Sequence, residues 1–193
     1  MASVDLVVLG LGNPGSQYRH TRHNVGADTI EVLGERYRAK LRLEKGLFCG
    51  SDVVTVGGQR IAIAIPTTYM NESGLAAAAL MRRFDLDPAQ LVVIHDELDL
   101  SPATVKLKEG GGLAGNNGLR SIKAHTKTED FLRIRIGIGK PVSKEQGVNH
   151  VLNKFGKRER EEIDIAIARA ADAVEAILAN GIAAAMNEFN TAR

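Results

Sequence analysis

The sequence predicts a single α/β domain in which helices flank a twisted, mixed β-sheet. Short apolar runs that suit buried strands alternate along the chain with longer segments of helical periodicity. Two of the runs are separated only by Gly-Gly-Gln at 57–59, which predicts an antiparallel hairpin within an otherwise parallel pattern. The 193 residues contain no repeat or low-complexity linker, so we expect one domain that spans residues 1–193.

The first half of the chain contains three predicted strands and two predicted helices. Residues 6–11 are a continuous apolar run that ends in the turn sequence Gly-Asn-Pro-Gly, as expected of a buried strand. The other elements are a helix at 24–37, the strands of the hairpin at 47–56 and 60–65, and a helix at 73–84.

The second half contains three more predicted strands, at 91–94, 104–108 and 132–138, and a short helix after Asn117. A long C-terminal helix is predicted at 157–180 because its apolar residues recur at helical spacing and form one stripe. The residues of this stripe are Ile163, Ala166, Ile167, Ala170, Val174, Ile177 and Leu178.

Composition and charge narrow the classes of function. No apolar run is long enough to cross a membrane, the first residues lack the pattern of a secretory signal, and Cys49 is the only cysteine. We therefore expect a cytoplasmic protein without disulfides or membrane contact. Because the sequence shows no obvious exposed apolar stripe, we also expect a monomer. The net charge is only +2, but residues 106–144 carry nine basic against three acidic residues, which favours an anionic partner such as RNA.

A glycine fingerprint follows the first strand, because Gly10, Gly12 and Gly15 match the G-x-G-x-x-G pattern of dinucleotide-binding folds. Two features argue against a nucleotide. Pro14 and the polar residues 16–23 do not resemble a helix that opens on a pyrophosphate, and no second strand ends in an acidic residue about 20 positions later. The sequence therefore predicts no dinucleotide cofactor.

Polar side chains follow several of the predicted strands, at the edge where open α/β sheets usually build their sites. One group joins Asn13 with His20 and His23, and a second is Tyr-Met-Asn at 69–71. A third joins His95 and Asp96 with the asparagines at 116–117. Each residue alone has a structural explanation as a turn or helix-cap residue, so the prediction depends on their joint placement.

The residue types indicate hydrolysis by an activated water. A carboxylate can fix the tautomer of a histidine, whose other nitrogen then takes a proton from water. No nucleophile-elbow motif is present and Cys49 has no catalytic signature, so a covalent intermediate is disfavoured. A metal site built from His20, His23 and the acidic segment 95–99 remains the alternative.

These segments, taken as a set, closely resemble the bacterial peptidyl-tRNA hydrolase family from end to end. The matching segments are G-L-G-N-P-G at 10–15, Tyr18 leading into T-R-H-N at 21–24, P-T-T-Y-M-N at 66–71, H-D-E-L-D-L at 95–100, G-G-G at 110–112 with N-G-L at 117–119, and R-I-R-I-G-I-G at 133–139. The resemblance implies hydrolysis of the ester that joins a peptide to the terminal ribose of tRNA, without metal or cofactor. A non-catalytic RNA-binding relative is the alternative function.

The resemblance also implies roles for individual residues. His23 matches the catalytic base and Asp96 its acidic partner. The residues that would bind substrate are Asn13, Tyr18, Tyr69, Met70, Asn71 and Asn117. Lys108 and Arg135 match positions that clamp the 5′ phosphate at the tRNA acceptor end, and we expect Lys106, Arg120, Lys123 and Arg133 to add longer-range attraction.

One position departs from the family pattern. Where the family usually has Gly-Gly-His-Asn-Gly, this chain has A-G-N-N-G at 114–118, so that Asn116 replaces the histidine. We therefore expect any contact that the family makes through this histidine to differ in this chain. Family members also carry a mobile lid, which corresponds to residues 142–151 of this chain.

Overall fold

Seven strands form one mixed β-sheet in the computed structural model, which describes residues 3–191. The strands are β1 (Leu6–Gly10), β2 (Arg42–Glu44), β3 (Cys49–Val56), β4 (Gln59–Pro66), β5 (Leu91–Glu97), β6 (Val105–Glu109) and β7 (Leu132–Gly137). Their order across the sheet is β2-β3-β4-β1-β5-β7-β6. The four central strands are parallel, and β2, β3 and β6 pair antiparallel with their neighbours. The predicted mixed sheet and its hairpin are confirmed.

Six α-helices accompany the sheet in the described part of the chain. They are α1 (Val25–Tyr37), α2 (Ser73–Phe84), α3 (Asn117–Thr126), α4 (Gly147–Leu152), α5 (Lys157–Asn180) and α6 (Ile182–Asn190). Alternate residues of each central strand point to opposite faces, so Val8 and Ile94 join one apolar core while Leu9 and Val93 join another. Helices α1, α5 and α6 cover the first face, and α2 and α3 cover the second.

Three elements were not predicted from the sequence. Strand β2 has three exposed residues and forms only because it pairs with β3. Helix α4 has six residues and no buried side chain, so it carries no apolar stripe. Helix α6 is separated from α5 only by Gly181, whose positive φ of 83° ends α5 and interrupts the helix at that point. Strand β5 also continues to Glu97 instead of ending at residue 94, because β7 pairs with it to that point.

Helix α1 lies unusually close to the carboxyl ends of β1 and β5. A Cβ atom on Gly26 would overlap the carbonyl oxygen of Ile94, and one on Gly10 would overlap the carbonyl oxygen of Gly26. The Ala27 amide donates to the carbonyl of Leu11 at 3.0 Å, which joins the first turn of the helix to the end of the strand. Gly10 of the fingerprint therefore serves helix–sheet packing, and a short 3₁₀ turn at Ser16–Tyr18 follows it instead of a phosphate-binding helix.

We expect Gly26→Ala to destabilise the protein by about 1–3 kcal/mol or more, because the methyl group would force α1 away from backbone atoms that cannot yield. Gly34→Ala on the same helix is the matched control. Its Cβ would meet only the Cβ of Ala39, at an ordinary 3.9 Å, so we expect a gain of roughly 0.5–1 kcal/mol. Equilibrium urea unfolding measures both changes, and equal stability of the two variants would contradict the packing described.

Candidate active site

A histidine and an aspartate meet at the carboxyl edge of the central strands. His23 lies on a 3₁₀ turn, Arg22–Asn24, that leads directly into α1, and Asp96 is the penultimate residue of β5. The Nδ1 atom of His23 is 2.9 Å from Oδ2 of Asp96, and the two side chains are 11% and 3% exposed. Because a carboxylate only accepts hydrogen bonds, Nδ1 carries the proton and Nε2 is left as the nitrogen that can take another.

The environment of His23 adjusts its basicity in two opposing directions. Burial is the largest single influence and disfavours the charged imidazolium. The negative charge of Asp96 and its hydrogen bond act in the opposite sense and together outweigh burial, so that the pKa of His23 is raised above 6.5. An imidazole with a raised pKa is a stronger base than a free histidine once it is in its neutral form.

The pair opens onto a cleft of about 240 Å³. One wall consists of residues on β5 and on the loop before α3, and the other belongs to the segment around α4. The lining residues are His23, Asp96, Glu97, Leu98, Ala114, Gly115, Asn116, Asn117, Lys144, Gly147, Val148 and Val151. The cleft therefore combines the histidine–aspartate pair, several amide groups and apolar side chains of the predicted lid.

Asn13 joins three loops at this edge. Its backbone amide donates to Oδ1 of Asn24 at 2.9 Å, and Nδ2 of Asn24 donates back to the Asn13 carbonyl at 3.0 Å. Its own Oδ1 accepts from the backbone amide of Met70 at 2.8 Å. The side chain of Asn24 makes no capping bond to α1 and instead fixes Asn13 beside the His23 turn.

The segment 69–71 lies on a neighbouring loop, after β4. Tyr69 is 54% exposed, and its ring meets the ring of Tyr18 edge-on with 6.3 Å between centroids. Met70 is buried, while Asn71 is exposed on the 3₁₀ turn that precedes α2. These four residues and Asn13 lie outside the lining of the cleft around His23. The structure therefore brings the predicted residues to one edge of the sheet, but only His23, Asp96 and Asn117 line the same cleft.

Basic side chains lie on the outermost strands of the sheet. Lys106 pairs directly with Arg135, and Lys108 pairs with Arg133, so that all four project from the same face of β6 and β7. Lys108 and Arg135 are half-buried. Arg133 is only 2% exposed, and its guanidinium donates to the carbonyls of Gly111 and Gly112.

Two of the residues expected to attract RNA at long range are engaged within the protein. Arg133 also lies over the ring of Phe131, and its guanidinium holds the glycine loop, so it is not free to contact a phosphate directly; its long-range attraction stays a prediction. Lys123 pairs with Glu129 at 2.7 Å, which reduces its contribution to the field. Burial and ion pairing of this kind depend on the fold, so the order of charges in the sequence could not predict which basic residues are engaged.

The alternative metal site is not assembled as one group. His20 turns to Asp28, with Nδ1 3.1 Å from its carboxylate, whereas His23 turns to Asp96. His95 is buried, and its Nδ1 contacts the backbone carbonyl of Asp96. Within residues 3–191, the only cluster of suitable ligands is His20, Asp28 and Glu31, and the arginines at 19 and 160 already pair with its two carboxylates.

The predicted lid is bonded to the loop that carries His23. Helix α4 faces the cleft, and Nε2 of His150 donates to the carbonyl oxygens of Ile138 and Gly139 at 3.2 and 3.1 Å. Beyond α4, the carbonyl of Asn153 accepts from the backbone amide of Arg22 at 3.1 Å. Arg22, the residue before His23, is therefore hydrogen-bonded to the chain just beyond the lid segment.

Comparisons with known proteins identify the family of the chain. The family model described as Peptidyl-tRNA hydrolase matches residues 7–193. A peptidyl-tRNA hydrolase of Cutibacterium acnes is 43% identical, with 96% of this chain and 98% of that protein covered, and one of Nocardia farcinica is 45% identical with 95% of each covered. A crystal structure of peptidyl-tRNA hydrolase from Acinetobacter baumannii superposes with a TM-score of 0.93 at 36% identity, covering 100% of this chain and 99% of that one. The chain belongs to the peptidyl-tRNA hydrolase family.

Proposed function

We propose that this protein hydrolyses the ester bond between peptide and tRNA in peptidyl-tRNA and so recycles tRNA from prematurely released chains. Membership of the family supports the reaction. The observation that carries the mechanism is the buried contact of 2.9 Å between His23 Nδ1 and Asp96 Oδ2 beside an open cleft.

The proposed chemistry uses His23 as a general base. Nε2 takes a proton from a water molecule while the oxygen of that water attacks the ester carbonyl. Asp96 stabilises the imidazolium that forms. When the tetrahedral intermediate collapses, the C–O bond to the ribose breaks and the proton passes to the leaving ribose oxygen. Peptide acid and tRNA hydroxyl are the products, and no covalent intermediate or cofactor is required.

The asparagines would supply a grip that is independent of peptide sequence. An amide group offers both donors and an acceptor to a peptide backbone, which is the same in every substrate. We propose this role for Asn13, Asn71 and Asn117. Asn13 is held by Asn24 and Met70, which supports a fixed geometry, and Asn117 lines the cleft. Tyr18, Tyr69 and Met70 would form the adjoining surface for the substrate.

The tRNA end would meet the paired strands β6 and β7. Lys108 and Arg135 project from the same face of the sheet, and we propose that they contact the phosphate at the acceptor end. Residues 142–151 would act as a lid, which the position of Val148 and Val151 in the cleft wall supports. No helix among residues 3–191 is long and apolar enough to cross a membrane. A cytoplasmic location and a monomeric state remain predictions.

His23→Ala is expected to lower the single-turnover rate of peptide release by at least about a hundredfold, because the general base is lost. The test uses a defined peptidyl-tRNA with a metal chelator present, and tRNA binding and the thermal midpoint serve as controls for folding. Near-normal turnover of the variant would refute the assignment. Loss of wild-type activity in chelator would revive the metal alternative, and tRNA binding without any hydrolysis would favour the non-catalytic alternative.

The pH profile follows from the raised pKa of His23. Only the neutral imidazole is a base, so the acidic limb of kcat/KM is expected at a pH above 6.5, with activity lost as the pH falls through it. Asp96→Asn removes the charge but leaves the burial, so the limb should move below 6.5 while the plateau falls by about 10²–10⁴-fold. If the acidic limb of the variant lies at the same pH as in the wild type, Asp96 does not control the pKa of the catalytic base.

Lys108→Ala and Arg135→Ala are expected to weaken tRNA binding and to reduce the slope of log Kd against log salt by about one each. Arg158→Ala is the matched control, since Arg158 is an exposed cation at the start of α5, on the other face of the sheet. Titrations with deacylated tRNA at several salt concentrations give the slopes. Slopes that equal the wild-type value would exclude these residues as phosphate contacts.

A further inference from the structure

Asp96 has a second partner besides His23. The Nδ2 atom of Asn116 lies 3.3 Å from Oδ1 of Asp96 and 3.4 Å from its backbone oxygen. Each carboxylate oxygen therefore has its own donor: Oδ1 accepts from Asn116, and Oδ2 accepts from Nδ1 of His23. Asp96 is almost fully buried, so these donors determine how its carboxylate is oriented.

The orientation of the Asn116 amide is determined from its other end. Its Oδ1 accepts a hydrogen bond from the backbone amide of Leu119 at 3.0 Å and thereby caps the first turn of α3. Rotating the amide by 180° would break this cap and turn an oxygen towards the carboxylate of Asp96. The cap and the contact with Asp96 thus require the same orientation, with the NH₂ group directed at Asp96.

We propose that Asn116 is a positioning residue for the general base: its carboxamide holds the Asp96 carboxylate in the orientation that accepts the proton of His23. The proposal rests on the proposed function of His23 and concerns the position at which the family usually carries histidine. An amide donates without ionising, so this chain orients Asp96 in the same way at every working pH.

Loss of the Asn116 donor is expected to raise the pKa of His23. With one donor fewer, the negative charge of Asp96 acts more strongly on His23, and this favours the imidazolium. The other charged groups at the cleft are Glu97 on β5 and Lys144 before α4. Arg22 is directed away from the cleft, towards Glu159. None of these groups changes in the variants below.

Two substitutions separate the contact with Asp96 from the helix cap. Serine and aspartate both cap helices well, so both variants keep the cap of α3. Asn116→Ser should fold normally, whereas Asn116→Asp sets a second carboxylate against that of Asp96, so its thermal midpoint is measured alongside. The serine variant loses the donor, because its side chain is too short to reach Asp96. The aspartate variant loses the donor and adds a negative charge. Asn180→Ser, at the exposed end of α5, is the control for an asparagine-to-serine change.

The measurement is the NMR titration of the His23 imidazole in each protein, combined with kcat and KM on peptidyl-tRNA. For Asn116→Ser we expect the His23 midpoint to rise by about half a pH unit and kcat to fall about threefold to tenfold, with KM little changed. Asn116→Asp should raise the midpoint further, and Asn180→Ser should change nothing. The titration needs no substrate, so it remains informative if the proposed reaction proves wrong.

If Asn116 only caps α3, Asn116→Ser will keep the wild-type midpoint and the wild-type kcat, and the proposal is then overturned. A fall in kcat with an unchanged His23 midpoint in Asn116→Ser would also overturn it, because Asn116 would then act on the substrate and not through Asp96. Asn116→Asp adds a charge whatever the role of Asn116, so it serves to show that the titration detects changes at this position.

Discussion

The candidate site depends on the close approach of α1 to the ends of β1 and β5. Because Gly10 and Gly26 carry no side chains, the helix begins directly against the sheet, and Ala27 bonds to the carbonyl of Leu11. The turn that precedes the helix is thereby held over the carboxyl end of β5, where Asp96 is located. The distance of 2.9 Å between His23 and Asp96 is a consequence of this packing.

The same packing explains how a buried histidine can keep the raised pKa that the proposed base would need. Burial alone would lower the pKa of His23, and an isolated buried carboxylate would be costly. When the two groups lie together, their attraction offsets the cost of burying each of them, and Asn116 donates a hydrogen bond to the second oxygen of Asp96. The hydrogen bond between Arg22 and Asn153 extends this arrangement to the segment just after the lid, so that helix α1, the turn of His23 and this segment are connected.

Much of this arrangement could be predicted from the sequence. Apolar periodicity identified the central strands and α5, and the motifs identified His23, Asp96 and the asparagines as candidates. Three-dimensional contacts decided the rest. The charge pattern could not distinguish buried Arg133 from half-exposed Arg135, and only the fold divides His20 and His23 between different carboxylates. Asn116 caps α3 in the structure, and its contact with Asp96 joins residues 20 positions apart, which no local sequence pattern indicates.

The central claim is that the neutral form of His23 takes a proton from water. The most direct test compares the NMR titration midpoint of the His23 imidazole in the wild-type protein with the acidic limb of its kcat/KM profile on a defined peptidyl-tRNA. We predict that the two midpoints coincide at a pH above 6.5. An acidic limb that lies about one pH unit or more from the His23 midpoint would assign the base to another group and contradict the account.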